Sequence, residues 1–169
     1  MATRIKQAMD VIRHSVRSPY FGFVQGHAYL HAKDVDQIGR LVGRQDDEIV
    51  LEFETEFAGL VGDGSAMSYA AGRMGFYDLM RVLGFNRGDE VILLGATCSV
   101  MVNAVIRIGA TPIFSDIDPN TFGSEVKSIE ACITSNTRMI VAQHSFGIPC
   151  DIEPIVELAK SRNIFLLED

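Results

Sequence analysis

Three short segments carry the residues best suited to chemistry. Ala70-Ala71-Gly72-Arg73-Met74 is a run of small residues that leads into a predicted helix start. At such a start the unpaired backbone N–H groups and the helix dipole favour an anion, and a glycine lets a phosphate oxygen approach the main chain. Arg73 adds a full positive charge. An ordinary strand-to-helix turn also welcomes a glycine, so phosphate binding and plain turn chemistry both stay open here. Ile164-Phe165-Leu166-Leu167-Glu168-Asp169 is an apolar run that delivers two carboxylates to its C-terminal end. Asp169 could hold a cationic ring nitrogen, a metal or a ribose there, or simply face water. Gln143-His144-Ser145-Phe146-Gly147 follows another apolar run; His144 could stack on or hydrogen-bond a ligand, or serve as a satisfied structural histidine.

Other patterns exclude chemistries. Gly72 and Gly75 do not complete the GxGxxG of a dinucleotide turn, and no P-loop is present. His27 and His31 have the spacing of a helical metal pair but lack the glutamate of HExxH, so no metal is expected. Ser65 lies in Gly62-Asp63-Gly64-Ser65-Ala66, which misses the GxSxG of a hydrolase elbow. Cys98, Cys132 and Cys150 show no CxxC spacing, so reduced thiols are expected rather than a disulfide framework or a zinc knuckle.

The elements that must position these segments follow from the apolar pattern. Glu90–Leu94 is a near-continuous apolar strand of the kind a parallel sheet buries on both faces. Strands are also expected at Ser65–Ala71, Thr111–Ser115, Arg138–Ala142 and Ile164–Leu167. Between them fall helices at Arg73–Leu83, Ser99–Ile108, Ser124–Cys132 and Ile152–Ser161, the last with Asp151 as N-cap and Pro154 in its first turn. Repeats of this kind predict an α/β fold: a mostly parallel sheet, helices on both faces, and a binding edge at the strand C-termini. Before it, Met9–Val16 and Val35–Val42 suggest two short helices, and Phe53, Phe57, Leu60 and Val61 a third. Residues 1–50 thus read as an N-terminal helical segment and residues 51–169 as the sheet-bearing domain. In 169 residues, 47% are apolar, 22% are charged, and the formal net charge is -7. That balance suits a globular chain and offers no basic field for nucleic acid or an anionic membrane. With no signal-like apolar leader, a cytoplasmic location is expected.

Taken in order, these segments resemble the DegT/DnrJ/StrS family of sugar aminotransferases that depend on pyridoxal phosphate (PLP). The landmarks are Phe53-Glu54 with Phe57-Ala58, Ala71-Gly72-Arg73, Leu83-Gly84-Phe85-Asn86-Arg87-Gly88-Asp89-Glu90-Val91-Ile92, Gly109 to Asp118, His144-Ser145-Phe146-Gly147 and Glu168-Asp169. The resemblance implies the large domain of a fold-type I PLP transferase, truncated, with its C-terminal part and small domain absent. It implies that Gly72, Arg73 and Met74 grip the cofactor phosphate, where the family usually has Ser-Gly-Thr. It sets Cys98 where many members place an aromatic residue over the ring, His144 as a further cofactor contact, and Asp169 as the partner of the pyridine nitrogen. The lysine that family members attach to the cofactor matches neither Lys127 nor Lys160, both on helices expected to be exposed. The chain is therefore expected to be inactive alone. A nucleotide-linked keto-sugar substrate, an amino donor such as glutamate and a homodimer of the complete enzyme are further implications. The alternatives are a PLP-dependent sugar dehydratase of the same fold and a non-catalytic α/β module that binds a phosphorylated ligand.

Overall fold

The computed structural model describes the backbone of residues 32–62 and 64–169. The expected Met9–Val16 helix and the His27/His31 pair lie outside these residues. The chain divides into two compact units after Ser65. In the first, α1 (Ala32–Leu41) and α2 (Asp46–Val61) are the expected short helices. Asp46, Asp47 and Glu48 occupy the first turn of α2, where the helix dipole favours negative charge. Phe53 and Phe57 stack with ring centroids 6.0 Å apart, and α2 buries none of its residues.

The second unit is the α/β body. After α3 (Gly72–Val82) come β1 (Glu90–Leu94), α4 (Ser99–Ile108), β2 (Thr111–Ser115), α5 (Val126–Cys132), β3 (Thr137–Ala142), α6 (Ile152–Arg162) and β4 (Phe165–Glu168). The four strands are all parallel, in the order β2-β1-β3-β4. The expected parallel sheet is therefore present, with boundaries within one or two residues of those read from the sequence.

Two expectations need correction, and a third holds in position only. Ser65–Ala71 is not a strand among the described residues; its Tyr69 is held on α3 by Asp78 and Gly75 instead of joining the sheet. Helix α5 starts at Val126 rather than Ser124, because Glu125 is the N-cap and its carboxylate accepts the Ser128 N–H at 3.0 Å. Asp151 does hold the N-cap position of α6, with Pro154 in the first turn, but its side chain makes no capping hydrogen bond.

Strand alternation sorts the core into two layers. Val91 and Leu93 of β1 and Met139 and Val141 of β3 pack with Phe76 and Met80 of α3 and Met101, Ala104 and Val105 of α4; Leu167 of β4 leans on this layer. Ile92, Ile140 and Ala142 face the other way, onto Ile129 of α5 and Ile155 and Ala159 of α6. Helices thus cover both faces. Each fully buried aliphatic side chain among them contributes about 1.5–3 kcal/mol over its exposed state.

The direction of α3 is fixed by its C-terminal end. Arg138, at the start of β3, donates from Nη1 to the Gly84 carbonyl at 3.0 Å and from Nη2 to the Leu83 carbonyl at 3.0 Å. Its Nη1 also pairs with Asp89 Oδ2 at 2.9 Å, and its guanidinium lies 4.4 Å from the Phe85 ring centroid. Phe85 meets Phe165, at the start of β4, with centroids 6.4 Å apart. The C-terminal end of α3 is therefore tied to the edge where the strands begin. Its N-terminus must then point to the edge where they end.

Among the described residues no helix is long and apolar enough to cross a membrane, and no group of His, Cys, Asp or Glu is arranged to hold a metal ion.

Candidate functional site

Two helices on one face turn their N-termini toward the C-terminal edge of the sheet. For α4 this follows from its direct connection to the end of β1; for α3 it follows from the anchoring of its other end. Ala71 is the N-cap of α3 and has extended backbone, and its carbonyl accepts from Met74 N at 2.9 Å and Gly75 N at 3.4 Å. The N–H groups of Gly72 and Arg73 find no acceptor among the described residues, as the first turn of a helix requires. A Cβ added to Gly72 would meet, among the described residues, nothing within 4 Å beyond its chain neighbours and its own helix backbone, so the space beside this turn is open. Arg73 forms no ion pair among the described residues, and Met74 is exposed beside it. Cys98 is the N-cap of α4 and an exposed free thiol.

The segment ahead of Gly72 is latched to α3. The Tyr69 hydroxyl donates to Asp78 Oδ2 at 3.0 Å, and Arg81 Nε donates to Asp78 Oδ1 at 2.8 Å. The Arg81 and Tyr69 hydrogen bonds together hold the Asp78 carboxyl below its ordinary range, while the bond to Asp78 pushes the Tyr69 phenol up. The Tyr69 ring also covers Gly75, where a Cβ would come within 2.9 Å of it.

Strand parity separates the two acids at the end of β4. Leu167 faces the α3/α4 layer and Leu166 the α5/α6 layer, so Asp169 continues the first face and Glu168 the second. On β3 the same alternation sends Gln143 to the first face and His144 to the second. The hydrogen bonds agree. Gln143 Nε2 donates to Asp169 Oδ2 at 2.8 Å, and His144 Nε2 meets Glu168 Oε1 at 2.8 Å. The Asp169 N–H continues the ladder to the Ala142 carbonyl at 2.8 Å, and His144 N–H returns to the Asp169 carbonyl at 2.9 Å.

His144 is committed at both ring nitrogens. Nδ1 accepts the Cys150 N–H at 3.0 Å, so the ring proton sits on Nε2 and is donated to Glu168. Cys150 belongs to the α5/α6 core layer, and burial raises its thiol above the ordinary range. Gly72, Arg73, Met74, Cys98 and Asp169 therefore share one edge and one face, whereas the His144 ring is bound on the other side.

Two residues of this edge were not singled out by the sequence. Thr97 Oγ1 and Gln143 Oε1 are buried oxygens without a hydrogen-bond partner among the described residues. Gln143 lay inside a segment of interest, but the histidine beside it drew the attention. Thr97 carries no spacing signal at all.

A profile of the DegT/DnrJ/EryC1/StrS aminotransferase family matches residues 32–169. The chain belongs to this family. Its DegT/DnrJ/EryC1/StrS relatives include GDP-perosamine synthase of Escherichia coli O157:H7, 42% identical over 120 residues that make up 71% of this chain and 33% of the relative. The aminotransferase from Psychrobacter cryohalolentis superposes with a TM-score of 0.78 at 31% identity, over 86% of this chain and 38% of that one. NtdA from Bacillus subtilis, with bound cofactor PMP, superposes with a TM-score of 0.74 at 25% identity, over 82% of this chain and 34% of that one. The chain spans about a third of the length of the curated relative it matches at this identity. The expected fold-type I aminotransferase architecture is borne out by these superpositions.

Proposed function

We propose that this chain is the cofactor-binding part of a PLP-dependent aminotransferase that acts on a nucleotide-linked keto-sugar in amino-sugar and surface-polysaccharide synthesis. One observation carries the reading: an anion-receptive helix start at Gly72 and the Asp169 carboxylate stand at the same edge and on the same face of the sheet. These are complementary to the two charged ends of one phosphorylated pyridinium, and the open space beside Gly72 fits a phosphate group.

In this reading the Gly72 and Arg73 N–H groups bind phosphate oxygens, and the unpaired Arg73 guanidinium adds charge. Met74 and Cys98 border the ring. Cys98 offers sulfur contact rather than the stacking an aromatic residue would give. Asp169 holds the ring-nitrogen proton in place. When bound, PLP supplies the electron sink through which an amino group passes from a donor such as glutamate to the keto-sugar. His144 braces the strand ends behind Asp169 instead of touching the ring.

The reaction also needs a lysine amine beside the cofactor. Among the described residues Lys33, Lys127 and Lys160 are exposed, and none lies on the segments that make up this edge; Lys6 lies outside the described residues. These 169 residues alone would not transaminate. In this reading the lysine comes from a further segment of the complete enzyme, which works as a homodimer in a cytoplasmic setting.

Titration of the full-length protein with PLP tests the proposal. A visible cofactor band and amino transfer from glutamate to a nucleotide-linked keto-sugar are expected, while the 169 residues alone give no transfer. A full-length protein that takes up no PLP would refute it.

A further inference from the structure

We infer that Gln143 is the positioning residue for Asp169: it fixes the rotamer of the carboxylate that meets the cofactor ring. The inference rests on the proposed role of Asp169 and adds to it a residue that touches no cofactor atom.

The geometry is specific. Asp169 sits one residue past β4, where ladder hydrogen bonds still hold its main chain but nothing in the backbone constrains its side chain. The Gln143 amide supplies that constraint, donating from Nε2 to Oδ2 at 2.8 Å. The other oxygen, Oδ1, has no partner among the described residues. The amide orientation is not ambiguous, because a flipped amide would set Oε1 against a carboxylate oxygen.

Gln143 is itself rigidly mounted. Its N–H donates to Ser124 Oγ at 3.0 Å and its carbonyl accepts the Ser124 N–H at 3.3 Å. Ser124 is buried, and it is held by an antiparallel bridge to Ile117. Gly123 makes this approach possible, since a Cβ there would lie 2.8 Å from the Gln143 carbonyl oxygen. The mount therefore spans the loop before α5, the end of β3 and the end of β4.

Its oddity points the same way. Gln143 Oε1 is buried without a partner among the described residues, which costs stability, and an apolar side chain of equal length would avoid that cost. A glutamine retained for packing gains nothing here. A glutamine that must present an N–H to Asp169 does.

The test compares Gln143→Met and Asp169→Asn in the full-length protein, reading PLP affinity, the chemical shift of the ring nitrogen in 15N-labelled PLP, and the melting temperature of the cofactor-free protein. Gln143→Met is expected to weaken PLP binding by about tenfold, as loss of a hydrogen bond to a charged group implies. It should also move the ring-nitrogen resonance in the direction of Asp169→Asn, with no drop in the cofactor-free melting temperature. If Asp169→Asn moves the resonance and Gln143→Met leaves affinity and resonance as in the parent, the inference is overturned while the Asp169 reading stands. If Asp169→Asn moves nothing, both fall together. Gln143→Asn, whose amide is one carbon too short to reach, reads the same quantities should the methionine variant not fold.

Discussion

At the edge where the strands begin, the polar groups are engaged. Arg138 serves two carbonyls, a carboxylate and an aromatic face, and the Glu90 carboxylate accepts from the hydroxyls of Thr134 and Thr137. At the edge where they end, Thr97 Oγ1, Gln143 Oε1 and the Gly72 and Arg73 N–H groups have no hydrogen-bond partner among the described residues. The same sheet therefore spends its hydrogen-bonding capacity on stability at one end and holds it in reserve at the other. Unsatisfied groups in a folded protein need a reason, and a ligand that completes them is a physical one.

Breaking the saturated edge should have the largest effect. Arg138→Ala removes three hydrogen bonds and leaves the Leu83 carbonyl without its donor, while Asn86 Nδ2 still serves that of Gly84, and we expect a loss of about 2–3 kcal/mol in unfolding free energy. Denaturant titration measures it. PLP affinity of the protein that remains folded should stay within about twofold of the parent. A matching loss of affinity would erase the distinction between the two edges.

Thr97→Val tests the reserved edge with a smaller and opposite effect. Replacing an unpartnered buried hydroxyl by a methyl should leave the cofactor-free protein unchanged or more stable by up to about 1 kcal/mol, seen in the same titration. A clear destabilisation would mean that the hydroxyl already has a structural partner.

The smallest effect concerns the latch ahead of Gly72, read through pH. Asp78 has its carboxyl lowered in the folded state, first by Arg81 and then by Tyr69, so its contribution is present above the ordinary carboxylate range. It is lost as pH falls through the lowered folded value. Tyr69 works in the opposite sense: its phenol is raised, so its contribution holds below the ordinary tyrosine range and fades as pH climbs through the raised value. Tyr69→Phe should therefore soften both the acid and the alkaline limbs of a melting-temperature profile and leave the neutral region nearly flat. A profile unchanged at every pH would instead assign the latch to ring packing on Gly75, which phenylalanine keeps.

Legibility in the sequence followed the range of the interactions. Val91–Leu94 and Met139–Ala142 announce buried parallel strands by composition alone, and the helices between them by local periodicity. Asp169 and Gly72 were visible because each ends or begins an element. Arg138 was not, since its partners lie 49 to 55 residues away and no local pattern marks them. Gln143 was hidden for a related reason: its meaning depends on a carboxylate 26 residues later. The strand expected at Ser65–Ala71 finds no sheet partner among the described residues, since Tyr69 is engaged by Asp78 and Gly75 on α3. The separation of His144 from Asp169 needed strand parity, which becomes certain only once the register is known.

The strand order carries a consequence for how the chain acquires its shape. Strand β1 is central, and its second neighbour, β3, meets it only across a separation of 47 residues, as between Glu90 and Thr137. Non-local parallel pairing of this kind slows the search for the native state, because the intervening loop must lose its freedom before any contact offsets that loss. On a ribosome, β1 would wait beside β2 with one flank bare until β3 emerges, and the run Val91–Leu94 is the stretch most in need of shelter during that interval.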